Sequence, residues 1–285
     1  MQLKVDSITK IYGEKTVLKD FSLTCKEGIV GLLGPNGAGK TTFIKILCQL
    51  IPPTSGMIQI DGKKINKHTK KNIGVMFQQQ ELYEEFYVEE FLYYIATLKG
   101  LTKDKTSLEI NSLLETVQLI GARKMKIKHL SGGMKQRLLI AQTLLGNPKI
   151  LIFDEPTAGL DPNQRIKIRN LFSTLAQDHI LIICTHVVQD IESIADKIIM
   201  LDKGEQIQSG SVEEILKNLQ THVYELETDA GNLDYYQKQG KVSNIYRNDE
   251  NLRIRIISEN KLENSMPVYP TLEDAYLWFI RDENN

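Results

Sequence analysis

One stretch, Gly28 to Leu50, GIVGLLGPNGAGKTTFIKILCQL, constrains the fold more than any other. GIVGLLG is a run of small and β-branched residues, the composition of a buried strand. TTFIKILCQL has helical spacing and stops before Pro52-Pro53. Between them, Gly34, Pro35, Asn36, Gly37, Ala38, Gly39, Lys40 and Thr41 fit G-x-x-x-x-G-K-[ST], and Thr42 follows. The glycines let the backbone curl so that its N–H groups face a β-phosphate. Lys40 supplies positive charge to the β- and γ-phosphates, and Thr41 offers a hydroxyl to Mg²⁺. An ordinary strand-to-helix turn is the plainer alternative, but such a turn does not need every one of these fixed positions.

The rest of the chain is organised around that unit. LKVDSITK and TVLKDFSLTC read as strands separated by the turn-like GEK, and SGMIQIDGKKI as a strand with an Asp61-Gly62 turn. KNIGVMFQ is another strand. From about Glu81 to Leu145 the apolar spacing becomes helical, in VEEFLYYIATLKG and SLEINSLLETVQLIG, and predicts a helical insertion. LIFDEP returns to a buried strand, QRIKIRNLFSTLAQ to a helix and ILIICTH to a strand. Near-continuous apolar strands alternating with helices predict a parallel sheet covered on both faces. The short helix SVEEILKNL closes this unit near residue 220. Beyond it, VYELET and the hairpin-like VSNIYRNDENLRIRIIS read as strands, DYYQKQG as helix between them, and TLEDAYLWFIRD as a last amphipathic helix.

Four further places carry chemistry. In ILIFDEPTAGLDP, four apolar residues bury a strand and Asp154 emerges at its C-terminal end, the edge where ligands bind in open α/β sheets. Asp154 then reaches the magnesium shell, and Glu155 beside it polarises an attacking water. Two solvated carboxylates before a Pro turn are the alternative. LSGGMKQR presents a hydroxyl and bare N–H groups at Ser131, Gly132 and Gly133 where a helix begins, a second anion site. His186, at the end of ILIICTH, is placed to donate a hydrogen bond to a γ-phosphate, although a lone histidine is more often structural. Gln78 ends IGVMFQ and can report metal and γ-phosphate to the helical insertion, with Gln79 and Gln80 competing for the role. Tyr12 can stack on adenine or equally be a surface residue.

Composition narrows the class. Lys+Arg is 35 and Asp+Glu 36, so a strongly cationic nucleic-acid binder is not indicated. Three cysteines without paired or metal-like spacing fit reduced thiols in a cytosolic protein. The N-terminus lacks an apolar signal segment, and the longest apolar run, HILIICTHVV, is shorter than the roughly 20 residues that span a bilayer.

Taken in order, GPNGAGKTT, Phe77-Gln78, LSGGMKQR, ILIFDEP, Gly159 to Asp161 and Thr185-His186 resemble the ATP-binding subunits of ABC transporters, over about residues 2 to 220. The LSGG turn separates this resemblance from other P-loop families. It implies an α/β P-loop NTPase with a mostly parallel core sheet, an N-terminal antiparallel β subdomain, a helical insertion at about 81–145 and a small C-terminal α+β extension, with domains 1–220 and 221–285. It implies ATP and Mg²⁺ as ligands, with Thr41, Gln78 and Asp154 toward the metal, and Lys40, Gln78, Glu155 and His186 as catalytic groups. It also implies a head-to-tail dimer, in which Ser131, Gly132 and Gly133 face the γ-phosphate held by the partner's GPNGAGKTT loop and Asp161 touches the opposite subunit. Hydrolysis then removes a contact that favours the closed dimer.

The chain has no pore of its own, so the resemblance implies a membrane permease subunit and a peripheral place on the cytoplasmic face of the membrane. LYEEFYVEEFLYYIA supplies candidates for the docking groove, or simply core. The tail, with PTLEDAYLWFI near its end, is similar to the extensions of drug, peptide-antibiotic and sodium exporters. Met134 and Ala158 stand where many members carry Gln and Ser. With Glu155 and His186 both present, a homodimer has two competent sites. A soluble ATPase of the same superfamily acting on ribosomes or nucleic acid is the competing reading, opposed by a single cassette and no heptad run. A nucleotide kinase shares the loop but needs no LSGG.

Overall fold

A computed structural model describes residues 1–66, 69–248 and 251–280. The hairpin turn at Asp249 and Glu250 and the terminal Arg281 and Asp282 lie outside the described residues. β1 (Leu3–Tyr12) and β2 (Lys15–Cys25) pair antiparallel, and β3 (Gly28–Leu33) leads through the glycine loop into α1 (Lys40–Leu47). β4 (Ser55–Ile60) and β5 (Lys63–Lys64) form a hairpin whose turn residues, Asp61 and Gly62, both have positive φ, the geometry that Asp-Gly supplies. β6 (Ile73–Met76) stops two residues before Gln78, so that glutamine stands beyond the strand rather than at its end.

The helical insertion also starts later than its composition suggests. Residues 81–87 are irregular, and α2 (Val88–Leu98), α3 (Lys103–Thr116) and α4 (Gly132–Leu144) follow. Val88, Phe91 and Leu92 are core, whereas Tyr83, Tyr87 and Tyr94 are exposed. One apolar stretch therefore splits between core and surface. β7 (Ile150–Asp154), α5 (Pro162–Leu175), β8 (Ile180–Thr185), β9 (Lys197–Asp202), β10 (Glu205–Gly210) and α6 (Val212–Lys217) complete the large unit.

Among the described residues, ten strands form one sheet in the order β5-β4-β1-β2-β10-β9-β3-β8-β7-β6. The run β9-β3-β8-β7-β6 is parallel throughout. Every residue of β7 and β8 is buried, as expected for strands covered on both faces. The N-terminal antiparallel strands continue this sheet, joined through the single register pair Glu205↔Lys19. The C-terminal ends of β3, β7 and β8 lie side by side and release Gly34, Glu155 and His186 at one edge.

β11 (Val223–Thr228), α7 (Leu233–Gln239), β12 (Lys241–Asn248), β13 (Asn251–Ile257), β14 (Met266–Pro267) and α8 (Leu272–Phe279) build a second sheet, β12-β13-β11-β14, with two helices. Strand alternation divides its residues. Tyr224, Leu226, Ile254 and Ile256 make a small core of their own, while Val223 and Ile257 join the main core with Leu272 and Ala275 of α8. α8 is locked to this sheet by Arg255, whose Nη2 donates to Asp274 Oδ2 at 2.7 Å and whose Nη1 donates to Glu225 Oε1 at 3.1 Å. Burial pushes the Asp274 carboxyl up, but donors from Arg255, Ser243 and Thr271 outweigh it and hold the pKa below its usual value. Arg255→Met leaves that carboxylate buried without its cation, and costs about 3–5 kcal/mol in urea unfolding. Trp278, the chain's single tryptophan, lies on α8 and reports the loss by fluorescence.

Candidate functional site

Lys40, Thr41, Asp154 and Glu155 meet in a cleft of about 590 Å³ at the C-terminal edge of the parallel strands. Its floor is the loop from Pro35 to Thr42. Gly39 has φ +109°, and a Cβ there would come within 2.8 Å of the Val17 carbonyl, so both conformation and space demand glycine. α1 begins at Lys40 with no side-chain cap and no acidic residue in its first turn. Its first N–H groups therefore face the cleft as an anion site.

Lys40 is buried, and its Nζ donates to the carbonyls of Gly34 at 2.5 Å and Pro35 at 3.1 Å. Burial lowers the Lys40 pKa, against the opposing pull of Glu155, Cys184 and Asp154. Asp154 accepts from Thr41 Oγ1 at 3.3 Å. Burial raises its pKa and Glu155 adds to this, while the Thr41 hydrogen bond and Lys40 oppose it. Each charge is thus poorly solvated, a state that a polyanion and a divalent cation would relieve together. No group of three or more His, Cys, Asp or Glu side chains suited to a metal occurs among the described residues. A hydroxyl and one carboxylate, completed by phosphate and water oxygens, are instead the donor set that suits Mg²⁺.

Glu155 is buried and holds φ +52°, a left-handed conformation uncommon for a residue with a Cβ. Its N–H donates to the Cys184 carbonyl at 2.8 Å. The carboxylate accepts from Thr185 Oγ1 at 3.1 Å and from the His186 N–H at 3.1 Å, and pairs with His186 Nδ1 at 2.7 Å. This differs from a histidine aimed only at phosphate. In a neutral ring whose Nδ1–H is given to Glu155, Nε2 is an acceptor, so donating to a phosphate requires the imidazolium or a rotated ring.

The other residues singled out from sequence fall in three places. Gln78 lines the cleft with Asn36, Gly37 and Ala38. Tyr12 is exposed outside the lining, with Lys10 Nζ 4.9 Å from its ring centroid. Ser131, Gly132, Gly133 and Asp161 are also absent from the lining. Ser131 caps α4, its Oγ accepting from the Met134 N–H at 3.3 Å, and Asp161 caps α5, accepting from the Gln164 N–H at 3.0 Å. The cleft also contains Lys15, Thr16, Val17 and Lys203, which sequence reasoning missed. Lys203 sits in the Asp-Lys-Gly turn between β9 and β10, and its positive φ marks that turn but not its destination.

Residues 18–158 match the family model described as ABC transporter. The chain is 37% identical over 248 residues to an uncharacterized ABC transporter ATP-binding protein, YxlF, of Bacillus subtilis, covering 86% of this chain and 83% of that one. It is 37% identical over 222 residues to the linearmycin resistance ATP-binding protein LnrL of Bacillus subtilis, covering 76% and 71%. Among solved structures it is similar to the ATP-binding cassette MJ0796, a dimer in a post-hydrolysis state bound to ADP and Pi, with a TM-score of 0.64 and 28% identity over 73% of this chain and 98% of that one.

Proposed function

The chain belongs to the ABC transporter family as an ATP-hydrolysing, ATP-binding subunit, and on that premise we propose that it drives export through a membrane permease from the cytoplasmic face of the membrane. Residues 1–220 are the ATPase domain in this reading and 221–285 its extension. Support for export comes from a further relative, named Nod factor export ATP-binding protein I, of Burkholderia orbicola, to which the chain is 35% identical over 217 residues, covering 74% of this chain and 71% of that one. No helix among the described residues is long and apolar enough to cross a membrane.

In the cleft, Lys40 and the N–H groups of the loop and α1 would hold the β- and γ-phosphates, and Thr41, Asp154 and Gln78 would hold Mg²⁺, which when bound would supply positive charge to the transferred phosphoryl oxygens. Glu155 orients the attacking water, and His186, with Thr185, keeps that carboxylate in place. The exposed Tyr83, Tyr87 and Tyr94 form the permease-facing surface. Its link to the LSGG helix is local: Glu84, next to Tyr83, pairs with Lys135 of α4 at 2.9 Å.

One observation carries the dimer. The Ser131–Gly133 turn is not among the residues that line the cleft of its own chain, which supports its meeting a nucleotide carried by a second ATP-binding subunit. Ser131→Arg is therefore expected to retain ATP loading and lose hydrolysis by about 10²-fold, since it crowds the site across the interface. Mixed with a Lys40→Ala chain, it should form a head-to-tail dimer with one intact site and one that carries both changes, whereas a turn that served its own chain's cleft would leave no intact site. Loss of ATP binding by Ser131→Arg itself would contradict the arrangement. Co-purification with a membrane protein encoded beside this chain tests the transport reading.

A further inference from the structure

After β8 the chain runs from His186 to Asp196 without a long helix, and this segment is gripped from three directions. Beneath it, Ile191 lies over Gly31 of β3, where a Cβ would come within 2.5 Å of Ile191 Cδ1. On one flank, Thr157 Oγ1 donates to the buried Asp190 carboxylate, and Arg169 Nη1 donates to the Gln189 carbonyl at 2.8 Å. On the other flank stands α8. Glu192 Oε1 accepts from the Leu272 N–H, in the first turn of α8, at 3.0 Å. Leu272 and Ala275 are fully buried in the same cluster as Val188, Ile191 and Ile215. The charge of Glu155 is felt on this helix too: burial raises the Tyr276 phenol, and the Asp202 and Glu155 carboxylates add to it.

We infer that Glu192 and Leu272 are positioning residues for ATP hydrolysis, through which α8 holds the His186 segment against Glu155, so that the C-terminal extension sets the turnover of the nucleotide site. The inference rests on reading Glu155 and His186 as the hydrolytic pair. The linkage is continuous. Arg255 and Asp274 fix α8 to the second sheet, Leu272 and Glu192 fix the segment to α8, and His186 begins that segment. Loosening it alters the placement of the carboxylate without touching the phosphate loop, so kcat falls while ATP affinity holds.

The test uses the full-length chain with Glu192→Leu, Glu192→Gln, Leu272→Ala and His186→Ala, measuring kcat, KM for ATP and the stoichiometry of bound nucleotide. Glu192→Leu and Leu272→Ala should lower kcat by about ten-fold, with KM within about two-fold and full nucleotide stoichiometry. Glu192→Gln keeps an acceptor oxygen and should restore most of the rate. Wild-type kcat in Glu192→Leu and Leu272→Ala, beside a loss in His186→Ala, overturns the inference and leaves the hydrolytic pair standing. A rate loss matched by an equal loss of bound nucleotide overturns it as well, because the effect is then on folding. An unchanged His186→Ala removes the reading on which it rests.

Discussion

Glu155→Gln lowers ATP turnover by roughly 10²–10³-fold while leaving ATP binding intact. The substitution keeps the shape of the side chain, and its amide oxygen can still accept from Thr185 Oγ1, which lies 3.1 Å from the native carboxylate. What it removes is the charge and the ability to draw a proton from the attacking water. The amide NH₂ also replaces an oxygen that now accepts from the His186 N–H and pairs with Nδ1, so at least one donor there loses its acceptor. The hydrogen bonds of Lys40 to the Gly34 and Pro35 carbonyls and of Thr41 to Asp154 remain, while loss of the Glu155 charge removes its pull on Lys40 and its push on Asp154. With ATP present, the triphosphate survives long enough to hold two copies together. The variant should therefore elute as a dimer in ATP and Mg²⁺ and as a monomer in ADP, read on a sizing column beside single-turnover hydrolysis. An elution volume that ignores ATP would remove the head-to-tail dimer; a wild-type rate would remove Glu155 from the chemistry.

The parts of this site legible in the sequence are those whose geometry is local. Gly34 to Thr42 is a contiguous strand–loop–helix, and a loop conformation needing glycine at Gly39 leaves its mark in the residues themselves. Asp154 and Glu155 were placed by the buried strand before them, since a parallel strand must deliver its last residue to the ligand edge. Ser131 and Asp161 were read as anion- or partner-facing groups and not as the helix caps that the structure makes them, although both stand just before helical spacing resumes.

Contacts at long sequence separation were not legible. Glu192 meets Leu272 across 80 residues, and Thr157 meets Asp190 across 33. No periodicity encodes either, because each depends on how two finished elements dock. Lys15, at the start of β2, and Lys203, in the turn before β10, reach the cleft from different sheet regions, brought together only where β2 and β10 adjoin. The C-terminal residues posed a different difficulty. Val223 and Ile257 alternate as strands should, yet each strand faces two cores at once, its own and that of the ATPase. Composition marks such residues as buried without saying which neighbour buries them.

Lys40→Ala weakens ATP binding by roughly 10²–10³-fold, the scale of removing one partner from a desolvated charge pair. Two effects act in the same direction. The first is electrostatic. Lys40 carries its charge in a buried position, where attraction to a triphosphate is less screened than at an exposed lysine. The desolvation that lowers its pKa is a cost already met in the folded chain, and bound phosphate offsets it. The second is conformational. The Nζ bonds to the Gly34 and Pro35 carbonyls tie the two ends of the loop together, and alanine frees both. The N–H groups that should converge on phosphate are then held less well, so part of the loss comes from the backbone. Lys40→Arg separates the two contributions. It keeps the charge but replaces a compact ammonium with a larger planar fork in a space shaped for the former, and binding should recover only in part. Titration with a fluorescent ATP analogue measures all three chains, and unchanged Trp278 emission establishes that the fold is retained. An alanine variant that binds ATP as tightly as the parent would mean that the loop backbone alone holds the phosphates.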